Sequence, residues 1–133
     1  MTFCTSIHCM DGRIQEPIIK YLREKYGISY VDTITEPGPC KILAENEYKV
    51  SIDSIMKRIK ISINKHGSKL IAVSGHYDCA GNPCDEEVQK KQIRGSVKHL
   101  KNNYPEIEII GLWVDKTWKV HEVRSYKNLK GGK

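Results

Sequence analysis

No apolar run in this 133-residue chain approaches the ~18 residues that a membrane-spanning helix needs. The opening stretch Met1-Thr2-Phe3-Cys4-Thr5-Ser6 also lacks the charged and apolar regions of a secretory leader. No internal repeat, low-complexity block or linker interrupts the chain, so one domain is expected over 1–126, with 127–133 as a loose basic tail. An even cysteine complement is missing as well. Cys4, Cys9, Cys40, Cys79 and Cys84 are five, and nothing suggests secretion; reduced thiols or a metal role are expected rather than a disulfide framework, in a cytoplasmic protein.

Hydrophobic residues make up 39% and charged residues 29%, which fits a soluble globular protein and excludes a disordered one. A chain of this length buries about two-thirds of its unfolded surface, enough for a real core without staples. Twenty-two basic against 16 acidic residues leave +6. That balance favours anionic partners in general but is too diffuse to indicate nucleic acid.

The remaining pattern alternates strands and helices. Phe3 to Cys9 reads as a strand ending at Asp11-Gly12. Ile14, Ile18, Tyr21, Leu22 and Lys25 follow helical spacing, and Gly27 stops that helix. Ile28 to Ile34 is a second strand, closed by Glu36-Pro37-Gly38-Pro39. Tyr48, Ile52, Ile55, Ile59 and Ile63 mark a second helix with Gly67 after its end. Leu70-Ile71-Ala72-Val73 is continuously apolar, as in a strand buried on both faces. Asn82-Pro83 reads as the start of a third helix, whose core stripe is Ile93, Val97, Leu100 and Tyr104. Ile107 to Val114 and Trp118 to Val123 complete the strands. The expected fold is α/β: an open, mainly parallel sheet of order 2-1-3-4, plus an antiparallel edge strand, flanked by helices.

Two chemistry-bearing segments each follow a predicted strand. Cys9-Met10-Asp11-Gly12-Arg13 follows the first, and His76-Tyr77-Asp78-Cys79 follows the third. Ligands of doubly wound sheets bind beyond the strands' carboxyl ends, where the winding direction reverses; with order 2-1-3-4 both segments meet there. Two thiolates and an imidazole are what a tetrahedral zinc site asks of a protein, and thiolates prefer zinc over harder ions.

On these two motifs the sequence resembles the β-class carbonic anhydrases, which carry Cys-x-Asp-x-Arg after the first core strand and His-x-x-Cys after the third. The resemblance implies a zinc held by Cys9, His76 and Cys79, with water or hydroxide, or Asp11 in a resting form, as fourth ligand. It implies reversible hydration of carbon dioxide to bicarbonate by zinc-bound hydroxide. Asp11, kept ionised and oriented by Arg13, would accept the hydroxide's hydrogen bond. Two thiolates donate more charge than imidazoles, so the rate is expected to rise into alkaline pH. A homodimer or higher homo-oligomer is implied too. The family's usual Arg-Asn-Ala-Gly-like loop is replaced by Glu36-Pro37-Gly38-Pro39-Cys40. Alternatives are a zinc hydrolase of carbon disulfide or carbonyl sulfide, and a non-catalytic zinc or redox module in which Asp11 closes the metal.

Other candidates have plainer readings. Cys84 could be an extra ligand but is expected to pack at the second position of the third helix. His8 faces away from Cys9, His66 caps a helix end, and His99 and His121 show no partner. Lys90, Arg94, Lys98 and Lys101 form a basic stripe, read as a solvated flank. Trp113 and Trp118 read as core or interface anchors, since no aromatic–basic interleaving accompanies them. Neither nucleic acid nor membrane is an expected partner.

Overall fold

Leu70–His76 is buried at every position, which requires a central strand with both faces covered. The computed structural model describes residues 2–126 and places that strand in the middle of one five-stranded sheet; the expected basic tail lies outside the described residues. The elements are β1 (Phe3–Cys9), α1 (Gln15–Tyr26), β2 (Tyr30–Glu36), α2 (Pro39–Glu45), α3 (Lys49–His66), β3 (Leu70–His76), α4 (Glu86–Asn103), β4 (Glu108–Val114) and β5 (Val120–Tyr126). The strand order is β2-β1-β3-β4-β5, with β1 to β4 parallel and β5 antiparallel to β4. This is the expected order, antiparallel edge included. No described helix is long and apolar enough to cross a membrane.

Alternation along the strands divides the core in two. Ile7, Ile71, Val73 and Ile109 pack with Leu43 of α2, Ile55 and Ile59 of α3, and Ile93, Val97 and Leu100 of α4. Cys4, Ala72, Ile110, Leu112 and Val114 pack on the other face against Ile14, Ile18 and Leu22 of α1 and its start. Each fully buried Ile or Leu contributes ~1.5–3 kcal/mol of transfer free energy. The sheet is therefore a rigid floor.

Its pairing is uneven at one place. β1 pairs with β2 along its whole length, from Phe3↔Tyr30 to Cys9↔Glu36. Against β3 it pairs only from Thr5↔Ile71 to Ile7↔Val73, so the last residues of β1 and β3 part. β3 keeps β4 to its end, at His76↔Val114. The winding reverses between β1 and β3, the point at which a doubly wound sheet binds its ligands.

The structure corrects several expectations. Pro39–Glu45 is a helix that the proline-rich stretch concealed: Pro39 stands at its N-terminus, where its missing N–H costs nothing, after Gly38 in the left-handed region at φ 65°. α4 starts at Glu86, not at Asn82-Pro83, because Asp85 accepts a hydrogen bond from the Val88 amide at 2.9 Å and caps it. Cys84 consequently lies outside the helix. β2 begins at Tyr30 and β5 at Val120, Trp118 being held at φ 65° in the turn before it. His121 does have a partner, Asp115 at 2.7 Å. His66 meets Asp32 at 2.6 Å rather than the last carbonyls of its helix.

Candidate metal centre

Cys9 ends β1, His76 ends β3, and Cys79 lies in the following loop. One donor atom from each lies within 4.8 Å of the other two, and all three residues are buried. The Sγ atoms of Cys9 and Cys79 are 3.8 Å apart, well beyond the ~2.05 Å of a disulfide; both cysteines are free. Two Zn–S bonds of about 2.3 Å at a tetrahedral angle would set two sulfurs about 3.8 Å apart. The spacing is thus that of a shared ion.

The imidazole is prepared on the other side. His76 Nδ1 lies 2.7 Å from the Tyr77 carbonyl; a carbonyl only accepts, so Nδ1 carries the proton and Nε2 the lone pair. Nε2 is buried and has no hydrogen-bond partner among the described residues. Leaving such an atom unsatisfied costs ~1–3 kcal/mol, and a metal ion would use that lone pair. Two soft sulfurs and one free imidazole nitrogen fit zinc.

Backbone amides support the sulfurs. The Cys79 thiol's hydrogen bond pushes the Cys9 pKa down, and the amides of Gly38 and Asp11 add to this against burial. Cys79 is pushed up by the bond to Cys9 and by burial, while the Gly81 and Asn82 amides oppose the rise. Burial works against a charged His76, but the neighbouring Cys9 sulfur and the Tyr77 carbonyl outweigh it and raise its pKa. The two amide-bearing loops touch: a Cβ on Gly38 would lie 2.8 Å from Asn82 Cβ, and one on Gly81 2.6 Å from Pro37 Cβ. The Glu36-Pro37-Gly38-Pro39 stretch is therefore a wall of the site, and only glycines permit its contact with the Cys79 loop.

Asp11 and Arg13 stand at the lip. Asp11 Oδ1 accepts from the Arg13 amide at 2.9 Å and from Nε at 3.0 Å, and Oδ2 accepts from Nη2 at 2.7 Å. These bonds hold the Asp11 pKa down to about 2. Arg13 also reaches Asp78 Oδ2 at 3.3 Å and the Asp78 carbonyl at 3.1 Å, tying the β1 loop to the β3 loop. Its guanidinium lies 4.8 Å from the centre of the Trp118 ring. Asp11 is not in the close donor cluster; its carboxylate faces Arg13.

A cleft of about 640 Å³ reaches Cys79 between Tyr77, Pro83, Cys84 and Trp113. Cys84 lines it but bonds to Asn82 Oδ1 at 3.4 Å, outside the donor cluster. Cys4 and Cys40 are buried elsewhere, and burial raises both thiols to about 12. His8 is fully buried and bonds to Ser6 and Gln15. Lys90 pairs with Glu86, and Trp113 is buried in the core. Sequence reasoning missed Gln15 and Gln89, whose side chains bond to the main chain of Cys9, Asp11 and His76. Gly75 within a buried strand was the available signal of a close approach.

The model of the family described as "Putative carbonic anhydrase" matches residues 1–124. No curated protein matches the chain. Among solved structures, a tetrameric β-carbonic anhydrase from Sordaria macrospora is 14% identical, with TM-score 0.66, covering 92% of this chain and 81% of that one. β-Carbonic anhydrase isoform I from Trichomonas vaginalis is 18% identical, with TM-score 0.58 and coverage of 90% and 81%. The carbonic anhydrase from Glaciozyma antarctica is also 18% identical, with TM-score 0.61 and the same coverage. At these identities the likeness to solved structures shows the fold, and the family match adds the lineage. Matched over nearly its whole length, this chain belongs to the family described as putative carbonic anhydrase, and it has the fold of the β-carbonic anhydrases.

Proposed function

We propose that this protein is a zinc enzyme that hydrates carbon dioxide reversibly to bicarbonate, with Cys9, His76 and Cys79 as the protein's metal ligands. The observation that carries the reading is the buried cluster of two sulfurs 3.8 Å apart with an imidazole whose Nε2 is unspent. Bound zinc would supply Lewis acidity, making a water nucleophilic near neutral pH.

The chain's own residues do the rest. Arg13 keeps Asp11 ionised and fixes the direction of its carboxylate. Asp11, as an acceptor, takes the hydrogen bond of the attacking water and so aims that oxygen's lone pair at the carbon of carbon dioxide. With its carboxylate held by Arg13, Asp11 orients the reactant rather than closing the metal, which favours a catalytic over a purely structural site. The Tyr77 carbonyl holds His76 in the tautomer that presents Nε2.

The same reading makes the protein a cytosolic homo-oligomer. Met10 and Tyr77, each next to a proposed ligand, are 64% and 48% exposed, apolar surface at the rim that a second copy would cover. The Sordaria macrospora relative is described as tetrameric. Zinc analysis of the purified chain, with stopped-flow hydration of carbon dioxide, tests the reading. About one zinc per chain with catalysed proton release supports it; a zinc-loaded chain inert toward carbon dioxide but active on carbon disulfide would replace it.

A further inference from the structure

Where β1 and β3 part, each strand loses its partner just before a proposed ligand, and buried backbone groups left without bonds cost free energy. On β3 the lost edge can be identified. The Tyr77 amide bonds to the Val114 carbonyl of β4 at 2.9 Å; neighbouring residues alternate edges, so the N–H and C=O of His76 face the side that β1 has left. Gln89 of α4, buried in the core, meets both. Its Oε1 accepts from the His76 amide at 3.1 Å, and its Nε2 donates to the His76 carbonyl at 2.8 Å. A Cβ on Gly75 would lie 2.7 Å from that Oε1, so glycine before His76 admits the glutamine.

The end of β1 is held from the opposite layer. Gln15 of α1 donates from Nε2 to the Cys9 carbonyl at 3.0 Å and the Asp11 carbonyl at 2.7 Å. Its Oε1 can only accept, so His8 Nε2, at 2.7 Å, donates to it. His8 Nδ1 then accepts from the Ser6 hydroxyl at 2.7 Å. Every polar atom in the chain Ser6–His8–Gln15 is therefore assigned one role, which fixes the amide's orientation.

We propose that Gln15 and Gln89 are positioning residues for the metal ligands: one glutamine from each helical layer replaces the ladder that β1 and β3 lose, and together they set the distance between Cys9 and His76. The inference rests on the reading of Cys9, His76 and Cys79 as zinc ligands. Neither glutamine reaches the ion; each acts through main-chain atoms of the residues that do.

Zinc affinity by competition with a chromophoric chelator, and the visible spectrum of the cobalt(II)-loaded chain, test it in Gln89→Met, Gln89→Glu, Gln15→Met and Ser96→Ala. Methionine keeps the volume and removes the hydrogen bonds. Both methionine variants should bind zinc at least about tenfold more weakly and shift the thiolate-to-cobalt band. Gln89→Glu, which keeps the acceptor for the His76 amide, should recover part of the loss. Ser96→Ala removes a buried bond from the same helix to the Cys40 carbonyl; it should lower the melting temperature of the metal-free chain and leave zinc affinity unchanged. Should Gln89→Met fail to fold, Gln15→Met and Gln89→Glu must still show the weakening. Wild-type affinity and an unshifted cobalt spectrum in the folded glutamine variants would overturn the inference alone. A wild-type chain that takes no zinc would overturn the metal reading and this inference with it.

Discussion

The sulfurs of Cys9 and Cys79, seventy residues apart in the chain, stand 3.8 Å from one another where two neighbouring parallel strands of the sheet part. Everything around them holds that spacing: amides from two loops, two glycines without room for a Cβ, and an ion pair across the lip. Replacing Cys79 by serine exchanges a soft donor for a hard, protonated one. Zinc content after dialysis should fall from about one ion per chain to a small fraction, with the far-ultraviolet circular dichroism of the fold retained. Full retention of zinc by Cys79→Ser would remove Cys79 from the ligand set.

Arg13→Ala should act through Asp11. Since the Asp11 pKa is held down to about 2 from an ordinary 3.8, the pair's stabilisation is present above pH 3.8 and disappears as pH falls through 2. In the variant the Asp11 carboxyl, followed by carbon-13 resonance shift, should titrate near its ordinary value. The hydration rate should fall about a hundredfold at neutral pH. An unmoved Asp11 titration would show that Arg13 is not its anchor.

Gly38 and Gly12 make a paired test of the wall. Gly38→Ala places a side chain at φ 65° and 2.8 Å from Asn82 Cβ, so it should cost about 2 kcal/mol or more in urea unfolding and weaken zinc binding. A Cβ at Gly12 meets nothing within 4 Å, and Gly12→Ala should unfold within about 0.5 kcal/mol of wild type. Equal midpoints for the two variants would mean that the loops yield freely.

Glu122 fastens the edge strand to α1, its Oε2 accepting from Tyr21 at 2.8 Å, Tyr26 at 2.6 Å and Lys25 at 3.2 Å. Burial raises the Glu122 pKa, but the tyrosine and lysine bonds outweigh it and the net direction is down. Glu122→Ala should lose about 2 kcal/mol at pH 7. Because the folded pKa is depressed, the difference from wild type should shrink as pH falls through the carboxylate range. A pH-independent difference would point to packing instead.

The architecture was legible because its signals are local and strong. A short, uninterrupted apolar run such as Leu70–Val73, set between Gly67 and Gly75, fits a central strand, and Gly67 marks the end of α3 where Gly27 marks that of α1. The two segments that meet at the Cys9–His76–Cys79 cluster were legible because each follows a strand that the apolar pattern already ended. What escaped reading was set by tertiary contact. Pro37 and Pro39 look like a stop, yet Pro39 opens α2 since a helix tolerates proline in its first turn. Asn82-Pro83 carries a good capping signal but packs against the Gly38 loop, and Asp85 caps α4 in its place. Gln15 and Gln89 are polar residues on helices that no pattern in the sequence singles out; the parting of β1 from β3, a feature of sheet register, gives them partners.

Stopped-flow hydration of carbon dioxide by the zinc-loaded wild-type chain, beside Asp11→Asn with the same zinc content, is the most direct test. Catalysed proton release that climbs from neutral into alkaline pH in the wild type, and is lost in the variant, is the expected result. A wild-type chain with one zinc bound that releases protons no faster than buffer at every pH would contradict the account.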